Sequence, residues 1–271
     1  MRTSVLLLLI AAPLISTAGF EKNGRGARPL ALANAFVAVA GDPWVTWNNP
    51  AGLASVTSFK SSMCYAPEPF GMKELRTVSA AIALQTPFIN LGVVVDDFGS
   101  RLYRETTAAV GVGGAVSAGA ALGIAVNIGA VSIERYGAAT TITFDLGARL
   151  EVVESLSLGY TWKNISGATV GSSQAGLPQI QTLGVWYIPH ALAQLTVDLE
   201  KDIRFPFVVR AGFELNILEQ LALRFGCSNN PGTFAAGFGA TLSGWECAYA
   251  LNTHPQLGLT HVIGVSFEFP R

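Results

Sequence analysis

The sequence predicts an all-β fold, a transmembrane antiparallel β-barrel of about 14 strands with its lumen plugged by an N-terminal segment. Three observations point there: side-chain bulk alternates with period two from about residue 56 onward, charge is sparse, and the chain opens like an exported protein. Of the 271 residues, 50% are hydrophobic and 13% charged, against about 25% charged in an ordinary soluble domain. Such a surface is not built to face water alone. The formal net charge is −1 with no basic run, which excludes nucleic acid as a partner, because neutralising phosphates takes clustered Lys and Arg.

Residues 1–18 read as a secretory signal. Arg2 precedes an apolar core from Val5 to Ile15, and Ser16-Thr17-Ala18 supplies small residues at the expected cleavage position, so the mature chain is expected to start at Gly19. The alternative, an uncleaved anchor, needs about 20 apolar residues. No cysteine follows Ala18, which argues against a lipoprotein. Cys64, Cys227 and Cys247 are odd in number, lack CxxC spacing and read as small apolar side chains.

Residues 19–54 lack the dyad pattern. "GARPLALANAFVAVAGDPWVTWNNPAGLASV" is a small-residue apolar run with an expected short helix over Leu30 to Ala40, broken by Gly41-Asp42-Pro43. It is too short to span lipid and too apolar for a free tail, which leaves the barrel interior. Asn and Gly tolerate unusual backbone angles and Pro fixes one. Asn48-Asn49-Pro50-Ala51-Gly52 is therefore expected to form a compact turn whose amides hydrogen-bond to a barrel wall. The other reading is that this motif only starts the first strand.

Residues 55–271 form the expected barrel domain. Its most diagnostic stretch, Ala108 to Ile133, carries no charge and resembles a membrane helix by hydropathy, with a Gly119-x-x-x-Gly123 spacing. Glycine costs about 1 kcal/mol against alanine in a helix interior, and the side chains alternate instead. Val110, Val112 and Val116 interleave with Ala109, Gly111, Gly113 and Ala115; Leu122, Ile124, Val126 and Ile128 interleave with Ala121, Gly123, Ala125 and Asn127. Two strands and a tight turn fit this pattern.

Segments of this kind fall near residues 56–65, 76–86, 89–96, 102–116, 120–134, 140–151, 155–164, 180–188, 193–202, 207–217, 220–228, 233–242, 245–251 and 259–269. Most match the roughly 9–11 residues of a tilted membrane strand. Membrane barrels alternate short turns with longer loops. Pro87-Phe88, Ser117-Ala118-Gly119, Glu154, Pro189-His190, Leu218-Glu219 and Ser243-Gly244 supply the short set, and 66–75, 166–178 and 252–258 the longer one. A soluble β-sandwich shares the period, but its outer face would be thickly charged.

The second face is expected to line the lumen. Gly111, Gly113, Ala115, Ala121 and Gly123 leave room there for a plug, and Asp145, Arg149, Lys163, Asp198, Glu200, Arg210, Glu214, Arg224 and Glu246 place charge there. Their mixed signs favour pairing across strands over a selective ring. His190, His254 and His261 lie far apart without ligand spacing, there is no GxSxG, and Gly111 to Gly114 completes no GxGxxG. No enzyme activity, metal or cofactor is expected.

Gly26-Ala27-Arg28, Asn34 to Ala40, Asp42-Pro43 and Trp47-Asn48-Asn49-Pro50-Ala51-Gly52-Leu53-Ala54 resemble the N-terminal hatch of the FadL-like outer-membrane proteins, and more closely their PorV/PorQ-type branch. The tail, Ala250 to Phe269, resembles the last hairpin of that branch. The resemblance implies a bacterial outer-membrane barrel embedded in lipid, with a hatch over residues 19–54. Two functions follow from it: passive passage of small hydrophobic molecules, or a partner barrel of a protein secretion or surface-attachment system. Pro270-Arg271 departs from the usual aromatic end of such barrels.

Overall fold

The computed structural model describes residues 24–171 and 176–269. The expected signal segment 1–18, the start at Gly19 and Pro270-Arg271 lie outside the described residues. Among those described, the strands are β1 (Lys60–Ala66), β2 (Thr77–Leu84), β3 (Asn90–Gly99), β4 (Tyr103–Ser117), β5 (Ala120–Ile133), β6 (Gly137–Val153), β7 (Leu156–Lys163), β8 (Ile180–His190), β9 (Ala193–Asp202), β10 (Val208–Leu218), β11 (Leu221–Asn229), β12 (Gly232–Leu242), β13 (Trp245–His254) and β14 (Gly258–Glu268). Each pairs antiparallel with the next, and β1 closes the barrel on β14 from Lys60↔Glu268 to Tyr65↔Ile263. Closure leaves no unpaired edge, the condition for a sheet in hydrocarbon.

Period-two patterning becomes two faces of one wall. On β5, Leu122, Ile124 and Ile128 are more than half exposed, while Ala121, Gly123, Ala125 and Asn127 are buried. Val93, Val110, Ile142, Leu183, Phe225 and Ile263 continue the exposed set around the barrel. A continuous apolar exterior of this kind is a lipid-facing band. It ends at a charged rim, where Arg104 Nε lies 2.6 Å from Asp97 and Arg101 lies 3.5 Å from Glu134. The hydrophobic core is therefore inside the barrel, between the wall and residues 24–56.

At one end of the barrel the connections are short: residues 85–89, 118–119, 154–155, 191–192, 219–220 and 243–244. The opposite, loop end differs from expectation. Residues 67–76 and 164–179 are long, but 100–102, 134–136, 230–231 and 255–257 are tight turns. The physical reason is strand length: β4, β5 and β6 run 15, 14 and 17 residues, so their ladders continue past the lipid span of about 9–11 residues. Likewise Asn252↔Thr260 and His254↔Gly258 extend the last hairpin through what the sequence marks as a loop.

Lipid exposure predicts a depth-dependent cost. Val110→Arg, at the middle of β4, should destabilise the barrel by about 2–4 kcal/mol, and Thr106→Arg, beside Asp97 near the rim, by less than about 1 kcal/mol. Denaturant titration of the refolded barrel in micelles or vesicles measures both.

Candidate functional site

Residues 24–56 run inside the barrel as a collar against its inner wall. α1 (Ala27–Ala31) packs on β11 to β14, while α2 (Val45–Asn48) and the 3₁₀ turn Pro50–Ser55 pack on β3 to β6. The wall accommodates the collar by losing its side chains. Gly92 and Gly111 lie under Thr46, Gly113, Gly123 and Gly147 under Asn49 to Ala51, and Gly159 and Gly184 under Val37. Gly212 and Gly226 lie under Leu32 and Ala33, and Gly237 and Gly264 under Ala31 and Ala27. At every one of these glycines an added Cβ would come within 3.0 Å of the collar. Several are direct cross-strand partners: Gly92↔Gly111, Gly113↔Gly123, Gly123↔Gly147, Gly159↔Gly184 and Gly212↔Gly226. At this level the wall is bare backbone.

With little regular structure, the collar has many backbone groups that need partners away from bulk water. Wall side chains supply them. Asp198 Oδ2 accepts from the amides of Phe36 (2.8 Å) and Val37 (3.1 Å). Asn90 Nδ2 donates to the carbonyls of Leu53 and Val56, both at 2.8 Å. Arg149 Nε donates to Ala38 O at 3.1 Å and Lys163 Nζ to Trp47 O at 2.6 Å. In the other direction, Trp44 Nε1 donates to Ser62 Oγ at 3.0 Å.

Ion pairs complete the attachment. Arg28 makes a two-pronged contact with Glu214, Nε to Oε2 at 2.8 Å and Nη2 to Oε1 at 2.9 Å, and also reaches Asp42 at 3.0 Å. Glu214 is shared with Arg224 (2.7 Å), which continues to Glu246 (2.7 Å). Arg210 pairs with Glu200 at 2.9 Å, and Arg25 pairs with Asp96 at 3.1 Å while lying 3.3 Å over the Trp47 ring. Burial works against the charge on Arg28, but Glu214 and Asp42 outweigh it and hold its pKa above the ordinary arginine value. For Arg25 burial dominates and lowers the pKa, with Asp96 opposing.

The structure places Asp145, Arg149, Lys163, Asp198, Glu200, Arg210, Glu214, Arg224 and Glu246 on the inner face. Asp145 holds the 164–179 connection, accepting from Asn164 N at 2.8 Å. Asn48 to Gly52 are buried in a compact turn; its backbone amides bond within the collar, and it is the side-chain amide of Asn49 that reaches the wall. Ala51 N goes to Asn49 Oδ1 (3.1 Å) and Gly52 N to Asn49 O (2.9 Å); the wall contact is Asn49 Nδ2 to Ala148 O at 3.0 Å. The expected helix over 30–40 is replaced by α1, because Ala33 and Asn34 take left-handed φ of 52° and 61° and the next amides turn to Asp198. Gly111, Gly113, Ala121 and Gly123 are buried, whereas Ala115 is exposed at the turn end, where the β4–β5 register shifts. The sequence singles out Arg28 and Asp42 only as part of the hatch stretches, not as an ion pair, and it does not point to Arg25, Asp96 or Glu105, the last of which lines the loop-end chamber. For Asp96 and Glu105, inward parity within otherwise lipid-compatible strands was the available signal.

Two chambers flank α1. The loop-end chamber, about 580 Å³, exposes mostly apolar surface from residues such as Leu30, Leu75, Phe98 and Val262, with Glu105 and Arg210 also in its wall. The turn-end chamber, about 570 Å³, is lined by Arg28, Asp42, Lys60, Arg224, Glu246 and Glu268 among others. A smaller space of about 90 Å³ lies beside Trp47, Asp145 and Lys163.

No protein-family model and no curated protein matches this sequence. Solved structures do match in fold. The Ralstonia pickettii toluene transporter TbuX aligns over 91% of this chain and 99% of its own, with TM-score 0.69 and 11% identity. A Pseudomonas aeruginosa FadL homologue aligns over 93% and 97%, with TM-score 0.65 and 10% identity. The Pseudomonas putida toluene transporter TodX aligns over 92% and 99%, with TM-score 0.68 and 11% identity. At such identity the likeness is one of fold.

Two substitutions test the fit of collar to wall. Gly113→Trp should block folding or expel the collar, whereas Gly114→Trp, on the outer face of the same strand, should fold normally; heat-modifiable mobility on gels and protease resistance of residues 24–56 read the difference. Glu214→Ala leaves Arg28 and Arg224 without their shared carboxylate and should cost about 3–5 kcal/mol in denaturant titration.

Proposed function

We infer that the protein is a bacterial outer-membrane channel for passive passage of small hydrophobic molecules, with the collar acting as a hatch between its two chambers. The observation that carries this reading is the pair of chambers on opposite faces of α1, mostly apolar at the loop end and richer in charged groups at the turn end. An apolar solute gains about 25 cal/mol per Å² on leaving water, which favours entry at the loop end. A cavity of about 150 Å³ can hold benzene, so a chamber of about 580 Å³ leaves room for solutes larger than one ring. The turn-end chamber offers such a solute no comparable hold, so the solute is not retained there once the hatch yields, and net passage follows its concentration gradient. That TbuX and TodX are toluene transporters supports the same class of cargo here.

In this reading outer-membrane lipid surrounds the apolar band, residues 1–18 are removed on export, and the barrel performs no catalysis and uses no cofactor. The resemblance to the PorV/PorQ-type branch implies the other function, a barrel that holds exported proteins of a secretion or surface-attachment system. One experiment separates the two. Purified barrel in micelles should bind a fluorescent naphthylamine probe saturably, and Val262→Asp, which puts a carboxylate in the chamber wall, should weaken binding by at least about tenfold. Absence of binding by the wild type, with exported proteins co-purifying, would contradict transport and favour the secretion reading.

A further inference from the structure

The loop-end chamber is roofed on one side by residues 67–76, the connection from β1 to β2, whose Pro69, Phe70 and Leu75 form part of its lining. Among the described residues, every hydrogen bond made by 68–75 stays within 68–77. Gly71 N donates to Glu68 O, Met72 N to Pro69 O, Leu75 N to Met72 O, Arg76 N to Lys73 O, and Thr77 Oγ1 to Leu75 O. The one ion pair, Lys73 to Glu68 at 3.7 Å, is exposed and also internal. The roof is anchored to β3 at its end, where Gly99 N donates to Arg76 O at 2.9 Å and Arg76 pairs with Asp97 at 3.6 Å, whereas 68–75 make no hydrogen bond or ion pair to the rest of the loop end among the described residues.

One contact made from the roof's stretch 68–75 is specific. The Phe70 ring meets His254, at the end of β13, edge-on, with centroids 5.7 Å apart and planes at 71°. His254 is itself fixed, since its Nδ1 accepts from the amides of Gln256 (3.3 Å) and Leu257 (3.2 Å). Phe70 has φ of 57°, followed by Gly71 at 77°. A bulky residue in the left-handed region is strained and stays there only when its surroundings hold it. The His254 contact is such a hold. Gly71 has nothing within 4 Å of where a Cβ would stand, so the backbone beside Phe70 has room to swing.

We propose that residues 67–76 are a hinged cover over the apolar chamber and that Phe70, seated on His254, is the latch that decides whether a solute enters. The proposal rests on the reading of this chamber as the entry site for hydrophobic solutes. The cover itself, however, is a property of the chain and is testable without any ligand. Cys64 lies on the chamber wall and is 5% exposed, whereas Cys227 and Cys247 are exposed.

In a Cys227→Ser, Cys247→Ser background, a water-soluble methanethiosulfonate reagent should label Cys64 at a rate set by the open fraction of the cover. Phe70→Ala and His254→Ala should each raise that rate, by a few-fold to about tenfold, the weight of one aromatic pair. Heat-modifiable mobility confirms that each variant is folded. Unchanged labelling in both variants overturns the cover, and a rise with Phe70→Ala that His254→Ala does not share overturns the latch. Faster labelling in both variants while the wild type binds no naphthylamine probe would uphold the cover and remove the transport reading, so the two failures are distinct.

Discussion

A wide barrel in hydrocarbon must put its bulk outside and still fill its inside, and the rest of this structure follows from how that conflict is met. Eight strands make a barrel that inward side chains can fill, and larger barrels do not fill themselves. Here the closed wall goes the other way and strips its inner face to glycine at one level. Glycine within a strand costs stability and packs nothing, so the arrangement is sensible only with a second layer of chain pressed against it. Collar and wall are therefore one core, with Phe36, Leu53 and Val45 fully buried between them.

Because the wall's backbone is already paired strand to strand, it offers the collar little, Ala148 O with Asn49 being the exception. The collar's own amides and carbonyls are met by long wall side chains instead: Asp198, Asn90, Arg149 and Lys163. The same logic organises the charges. The chain Asp42–Arg28–Glu214–Arg224–Glu246 alternates in sign, so these charges inside the barrel neutralise one another locally. It ties α1 to β10, β11 and β13, at the point where α1 separates a mostly apolar chamber from one richer in charge.

The wall was legible in the sequence because lipid and lumen impose opposite demands on neighbouring residues, as Leu122, Ile124 and Ile128 against Gly123 and Ala125 display. Where that demand lapses, legibility ends. Thr253 and His254 continue a ladder beyond the lipid, where polar residues in strands and in loops look alike. The collar was harder, since its shape is set by partners remote in sequence. Arg28 finds Glu214 186 positions away, and the chain leaves the helix at Ala33 because Asp198 claims the amides that follow. Asn49 was visible as a turn former, but its reach to Ala148 depends on Gly147 leaving space.

The most direct measurement of the collar is amide hydrogen exchange on the barrel reconstituted in lipid vesicles. Residues 24–56 are predicted to exchange as slowly as the strands of the wall, with the amides of Phe36, Val37 and Ala51 among the protected ones, because opening them requires undoing the shared core. Exchange of these amides at the rate of a free peptide, while the strands remain protected, would contradict the account.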